Sequence, residues 1–167
     1  VMLPRMNEVV KSARLQGVHI IHAPSNTLNF YADSPARKRM LDIPPVDVPE
    51  DLSHEDPPLP VDDSDGGSDT GEDPNKMDTR VWTRQHAGIE IDEGRDVISD
   101  QGKEVYAYMQ HHNIDNMLIM GVHTNMCVLH RTFAIKKMVR WGKSVALIRD
   151  LTDAMYNPAK SPYVSHD

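Results

Sequence analysis

Met117-Leu-Ile-Met-Gly-Val-His-Thr-Asn-Met-Cys-Val128 is an apolar run that passes through one glycine and straight into residues at helical spacing. A short run without polar alternation predicts a strand over 117–120 buried on both faces, as strands of parallel sheets are. The pattern after it predicts one long helix over 125–141, closed by Gly142. On either side, Ser144 to Ile148 reads as another strand. Asp100 to Asn113 reads as a helix carrying Val105, Tyr108 and Met109, with a capping box in which Ser99 or Asp100 precedes Lys103 and Glu104. Nearer the start, Leu3, Met6, Val9, Val10 and Ala13 predict a helix over 3–16 that stops at Gly17, followed by a strand over Val18 to Ile21. Ser34 to Leu41 opens a short helix with Pro35 in its first position, and Thr79 to Arg84 reads as a strand. Helices alternating with such strands imply an α/β fold with a mainly parallel sheet joined by right-handed crossovers. Sheets of this kind bind ligands beyond the carboxyl ends of their strands, which here means the residues after Ile21, Thr83 and Met120.

The charge of the chain is local. Its 167 residues carry a net charge of −7, but residues 42–79 alone hold 13 Asp or Glu and one Lys, and seven of the 12 prolines. Pro removes backbone donors and like charges repel, so this stretch predicts a long acidic loop inserted in a slightly basic body. That body has no Lys/Arg cluster of the kind a nucleic-acid footprint needs, so no nucleic-acid partner is expected. No run approaches the roughly 18 apolar residues of a spanning helix, so no membrane partner is expected either. The length fits a single domain over 1–167 with a core of its own. One cysteine excludes an internal disulfide or a thiolate metal cluster.

That cysteine, Cys127, falls in the first turn after a buried strand. A helix N-terminus lowers a thiol pKa, and the N–H groups of a strand-to-helix turn can hold an oxyanion, so the position suits a nucleophile. His123, His130 and Arg131 lie close in sequence and would add positive potential. The alternative is a small buried hydrophobe, the commoner role of a free cysteine. A redox sensor would lack a second cysteine to resolve it.

The turn Gly121 to Val128 with Arg131-Thr-Phe-Ala134 resembles the nucleophile turn of the isochorismatase-like cysteine hydrolases, which include nicotinamidases and N-carbamoyl amidohydrolases. Matching stretches extend the resemblance over nearly the whole chain: His22-Ala-Pro-Ser-Asn-Thr27, Asp62-Asp-Ser-Asp-Gly-Gly67, Trp82-Thr-Arg-Gln-His86, Ile98-Ser-Asp100 and Arg149 to Pro158. It points to an uncharacterised bacterial branch. The resemblance implies a three-layer α/β/α sandwich with a Rossmann-like sheet, and hydrolysis of a small amide, carbamoyl or related substrate through a covalent intermediate on Cys127.

In that family an Asp, a Lys and a Cys surround one carbonyl. The resemblance puts Arg84 in line with the Lys; an Arg keeps the charge but cannot donate a proton. Arg84 would stabilise an oxyanion or grip a substrate carboxylate, or else be a surface residue pairing with the acidic loop. His86 is the neighbour suited to act as base. The resemblance also implies a cis peptide between Val122 and His123, backbone N–H groups of His123 and Cys127 as the oxyanion hole, and a substrate pocket lined by Trp82, Gln85, Thr124, Asn125 and Arg131. The family Asp ends a first strand that would precede Val1, so the domain is expected to lack that strand, and a last helix, and to expose unpaired strand edges. No cofactor is expected, and no catalytic metal, since His22 lacks the Asp-x-His spacing of zinc-dependent members and is expected to be satisfied by backbone. The acidic run matches a calcium loop at Asp63, Asp65, Gly66 and Glu72 but not at Val61, so a solvated loop or a lid is the expectation. Asp150 and Asp153 either face the pocket rim or cap the turn after the last strand, capping being the expectation. Family members commonly form homo-oligomers, and a cytoplasmic location is favoured.

Overall fold

The computed structural model describes residues 2–51, 82–161 and 163. The expected calcium match and most of the acidic loop lie outside the described residues. The fold is mixed α/β. Helix α1 (Met2–Leu15) buries Met6, Val10 and Arg14, one residue per turn on a single stripe, and ends where Gly17 takes φ +78°, a conformation that costs glycine nothing. Helix α2 (Pro35–Leu41) starts with Pro35 in its first turn and Ser34 as its cap, the hydroxyl accepting from the Arg37 N–H. Helix α3 is Gly102–His111, helix α4 is Ile135–Arg140, and a 3₁₀ turn spans Leu28–Tyr31.

Four strands form two parallel pairs. Strand β1 (Ile21–His22) pairs with β2 (Val97–Ile98), and β3 (Asn116–Val122) pairs with β4 (Ser144–Asp153). Among the described residues β1 and β3 share no ladder. Both pairs nevertheless rest on one core. Val105, Tyr106 and Met109 of α3 and Met138 of α4 meet Phe133, Ala134 and Trp141, and Ile21, Met117, Ile119 and Val145 from the strands pack onto that cluster. Helix α2 covers β2 through two smaller clusters, one built on Ala36 and Ile98 and the other on Met40 and Val97.

Several expectations are corrected. The strand over 18–21 narrows to Ile21 and His22, because β2 offers only two residues to pair with, although the Val97 N–H also reaches the Ile20 carbonyl. The strand over 79–84 is absent where described: 83–85 form a bend, with the Trp82 indole donating to Ser25 O and the Gln85 N–H to the Tyr31 hydroxyl. The capping box does not form around Gln101; Ser99 instead donates to Glu104, which also receives Arg37, while the Gln101 N–H goes to the Ser99 hydroxyl. Asp150 lies within β4, taking Arg149, rather than capping a turn after it.

The largest correction concerns the helix over 125–141. Thr124–Val128 is a single π turn, the chain leaves helical conformation at 131–134, and only 135–140 is regular α-helix. The break has a packing cause. Phe133 and Ala134 are buried against α3, and the Thr132 hydroxyl accepts the N–H of Gly102 at 3.0 Å. One continuous helix could not deliver all three groups to the same neighbour.

Candidate functional site

The turn carrying Cys127 lies at the carboxyl end of β3. Its Val122–His123 peptide bond is cis. The N–H groups of Met126 and Val128 both point back to the His123 carbonyl, at 3.1 and 3.2 Å, which makes the π turn. Side chains then bind the turn to the end of β4. Thr124 and Thr152 hydroxyls meet at 2.5 Å, Thr152 also donates to Gly121 O, and Asn125 forms a reciprocal pair with the backbone of Met155. Cys127 is half-buried, and its carbonyl accepts the Arg131 N–H at 3.2 Å. With the long helix broken, the thiol does not stand at the head of an extended helix dipole, so that source of activation is lost.

The second candidate cluster lies in the bend after Trp82. Phe30, Tyr31, Arg84, Gln85, His86, Glu90 and Glu93 help line an open cleft of about 290 Å³. The Arg84 guanidinium lies 5.5 Å from the centre of the Phe30 ring, within cation–π range. His86 is exposed, with Nδ1 accepting from the Gly88 N–H. Cys127, Thr124, Asn125 and Arg131 are not among the residues lining this cleft, and Trp82 is not either. The residues expected around one substrate thus fall into two groups, one on the β3 turn and one beside α2.

Beneath the cleft is a buried polar network with no counterpart in the sequence expectations. Asp96, 1% exposed, receives Arg14 Nε at 3.0 Å and Nη2 at 2.6 Å, the Asp92 N–H at 2.8 Å, and His22 Nε2 at 2.9 Å. Burial alone would push the Asp96 carboxyl up, but the hydrogen bonds from His22, Arg14 and Asp92 hold it far below the ordinary carboxylate range. His22 Nδ1 meets Gln85 Oε1 at 3.0 Å, and the Gln85 amide nitrogen donates to Ile89 O at 3.2 Å. His22 is therefore satisfied by side chains, not by backbone as expected. Through it the network runs from α1 across β1 to the cleft wall. Burial also pushes the Tyr31 hydroxyl up, against the lowering effect of the Gln85 N–H, so it keeps its proton. A second buried pair stands nearby: Arg37 donates to Ile98 O and to both oxygens of Glu104.

One signal for the network was present. Arg14 continues the Met6, Val10 stripe at four-residue spacing, and an arginine on a buried stripe demands an acid. Nothing in the sequence said that the acid is 82 residues away.

Among the described residues no group of three or more His, Cys, Asp and Glu could hold a metal ion, and no helix is long and apolar enough to cross a membrane. No family model, no curated protein and no solved structure matches the chain.

Proposed function

We propose that the chain is a cysteine hydrolase of the isochorismatase-like type, with its strands belonging to a three-layer α/β/α sandwich and Cys127 as nucleophile. The observation that supports this most is the place of Cys127: half-buried, at the carboxyl end of a parallel strand, in a turn fixed to the neighbouring strand by Thr124–Thr152 and Asn125–Met155. In the proposed reaction Sγ, having lost its proton to a base, attacks the carbonyl carbon of a small amide or carbamoyl group. The tetrahedral oxyanion collapses to a thioester as the amine leaves with a proton, and water then cleaves the thioester to regenerate the thiol. Backbone N–H groups at His123 and Cys127 are assigned to the oxyanion. Arg84 stands for the family lysine, and His86 is assigned as the base once its Nδ1 gives up the Gly88 N–H.

A rival reading is a small-molecule binding or assembly domain without chemistry. It is favoured by one observation: Arg84 and His86 line a cleft that Cys127 does not.

Labelling with iodoacetamide at pH 6, followed by intact mass, separates the two. Under the hydrolase reading Cys127 alkylates faster than free cysteine. Ammonia release from a panel of small primary amides then falls by at least about 10³-fold in Cys127→Ala. A thiol no faster than free cysteine, together with no amide turnover, leaves the binding domain.

A further inference from the structure

We propose that the cleft beside α2 is a binding site for a small carboxylate, held by the fork of Arg84. The guanidinium lies over the ring of Phe30, which is 56% exposed and held edge-on against Tyr31 with ring centres 5.0 Å apart. Stacking fixes the plane of an arginine while leaving its N–H edges available, and those edges match the two oxygens of a carboxylate. Among the described residues Arg84 donates to no carboxylate or carbonyl.

The other polar groups of the cleft are arranged as donors. The Tyr31 hydroxyl accepts the Gln85 N–H at 2.8 Å and retains its own hydrogen. His86 accepts the Gly88 N–H on Nδ1, which places the ring hydrogen on Nε2. Two carboxylates, Glu90 and Glu93, also line the cleft, and each already holds a partner. Glu93 caps α2, accepting the Ser34 hydroxyl at 2.7 Å and the Ala36 N–H at 2.9 Å. Glu90 pairs with Lys11 at 2.9 Å. The arginine fork, with the Tyr31 and His86 hydrogens beside it, suits an anion, and its geometry suits a planar one. The volume, near the lower end of small-molecule sites, suits a ligand the size of a single ring bearing one acid group.

The wall is held from behind. Gln85, which supplies the N–H to Tyr31, is fixed on its side chain by His22 and Ile89 O, and His22 by Asp96. The inference goes beyond the hydrolase reading and concerns binding alone, because Cys127 does not line this cleft.

The test is binding of benzoate to the full chain carrying Cys127→Ser, followed by ligand-observed NMR, so that cleavage cannot contribute. Benzoate is expected to saturate with a Kd of about 1 mM. Benzamide, the neutral molecule of the same shape, and the Arg84→Gln and Arg84→Lys proteins are each expected to bind at least about tenfold more weakly, lysine failing because it lacks the fork. Equal binding of benzamide, undiminished benzoate binding by Arg84→Gln, or no saturation by about 50 mM benzoate overturns the proposal. Inorganic phosphate binding as tightly as benzoate overturns the assignment to a planar acid. An active Cys127 with no benzoate site would leave the hydrolase standing and remove only this inference. A benzoate site with no active thiol would do the reverse.

Discussion

Replacing Asp96 with alanine is expected to cost about 3–5 kcal/mol of stability, because it leaves Arg14 and His22 buried opposite no acceptor. Few domains have more than 5–15 kcal/mol in total, so the variant should unfold at a much lower urea midpoint with an unchanged slope. The groups around this carboxylate come from every element that packs on it. Arg14 is on α1, His22 on β1, Arg39 reaches its carbonyl from α2, and Asp92 and Glu90 lie on the preceding loop. The Asp96 carboxyl is held below its ordinary value of 3.8, so its contribution is complete above that pH and is lost as the pH falls through the lower folded value. Wild type should therefore lose stability steeply under acid below about pH 4, and Asp96→Ala should lack that component. Glu104 is depressed too and titrates in the same range, so the informative quantity is the difference between wild type and variant. An identical acid slope in both proteins would show that the network does not hold Asp96 ionised.

Gly102→Ala is the second large effect, and its sign is the diagnostic. In an exposed helix the change would stabilise by up to about 1 kcal/mol, since alanine is the better helix former. Here a Cβ at Gly102 would stand 2.0 Å from the carbonyl oxygen of Thr132 and 2.5 Å from its carbon. Both are backbone atoms, and no rotamer relieves them. The segment 131–134 must move, at a cost of about 3 kcal/mol, the upper end of what overpacking usually incurs. The displacement should also be felt at the thiol, because the Arg131 N–H donates to Cys127 O. Thermal unfolding and the alkylation rate of Cys127 read the two consequences separately. A raised melting temperature would mean that α3 and the 131–134 break are not in contact.

Much of the fold was legible because it depends on neighbours in sequence. The stripe of α1, the stop at Gly17, the Ser34–Pro35 start of α2 and the existence of β3 are each written within a few residues, but the expected burial of β3 on both faces is not met, Leu118 being 67% exposed. The failures share a cause. Residues 125–141 do have helical spacing, but the break is imposed by Gly102, which lies 30 residues from Thr132. Val97–Ile98 is too short to stand out as a strand, and it becomes one only by lying next to Ile21 and His22. The candidate site shows the same division. The place of Cys127 in a strand-end turn is legible from its neighbours, whereas the cleft at Arg84 depends on Phe30 and Tyr31, whose contribution no local pattern announced.

The pairing of β3 with β4 is interrupted. Ile119 lies opposite Leu147, but Gly121 lies opposite Thr152, so β4 carries three more residues than β3 through the same stretch. Thr152, beyond the irregularity, is the residue that grips Gly121 and Thr124. The sheet register below the irregularity and the seat of the Cys127 turn above it are thus set by different residues, with 148–151 between them. Losing or gaining a residue within 148–151 would leave 144–147 aligned and shift the clasp together with the buried Leu151. In evolutionary terms, the position of the thiol can drift by changes of chain length without the sheet being rebuilt.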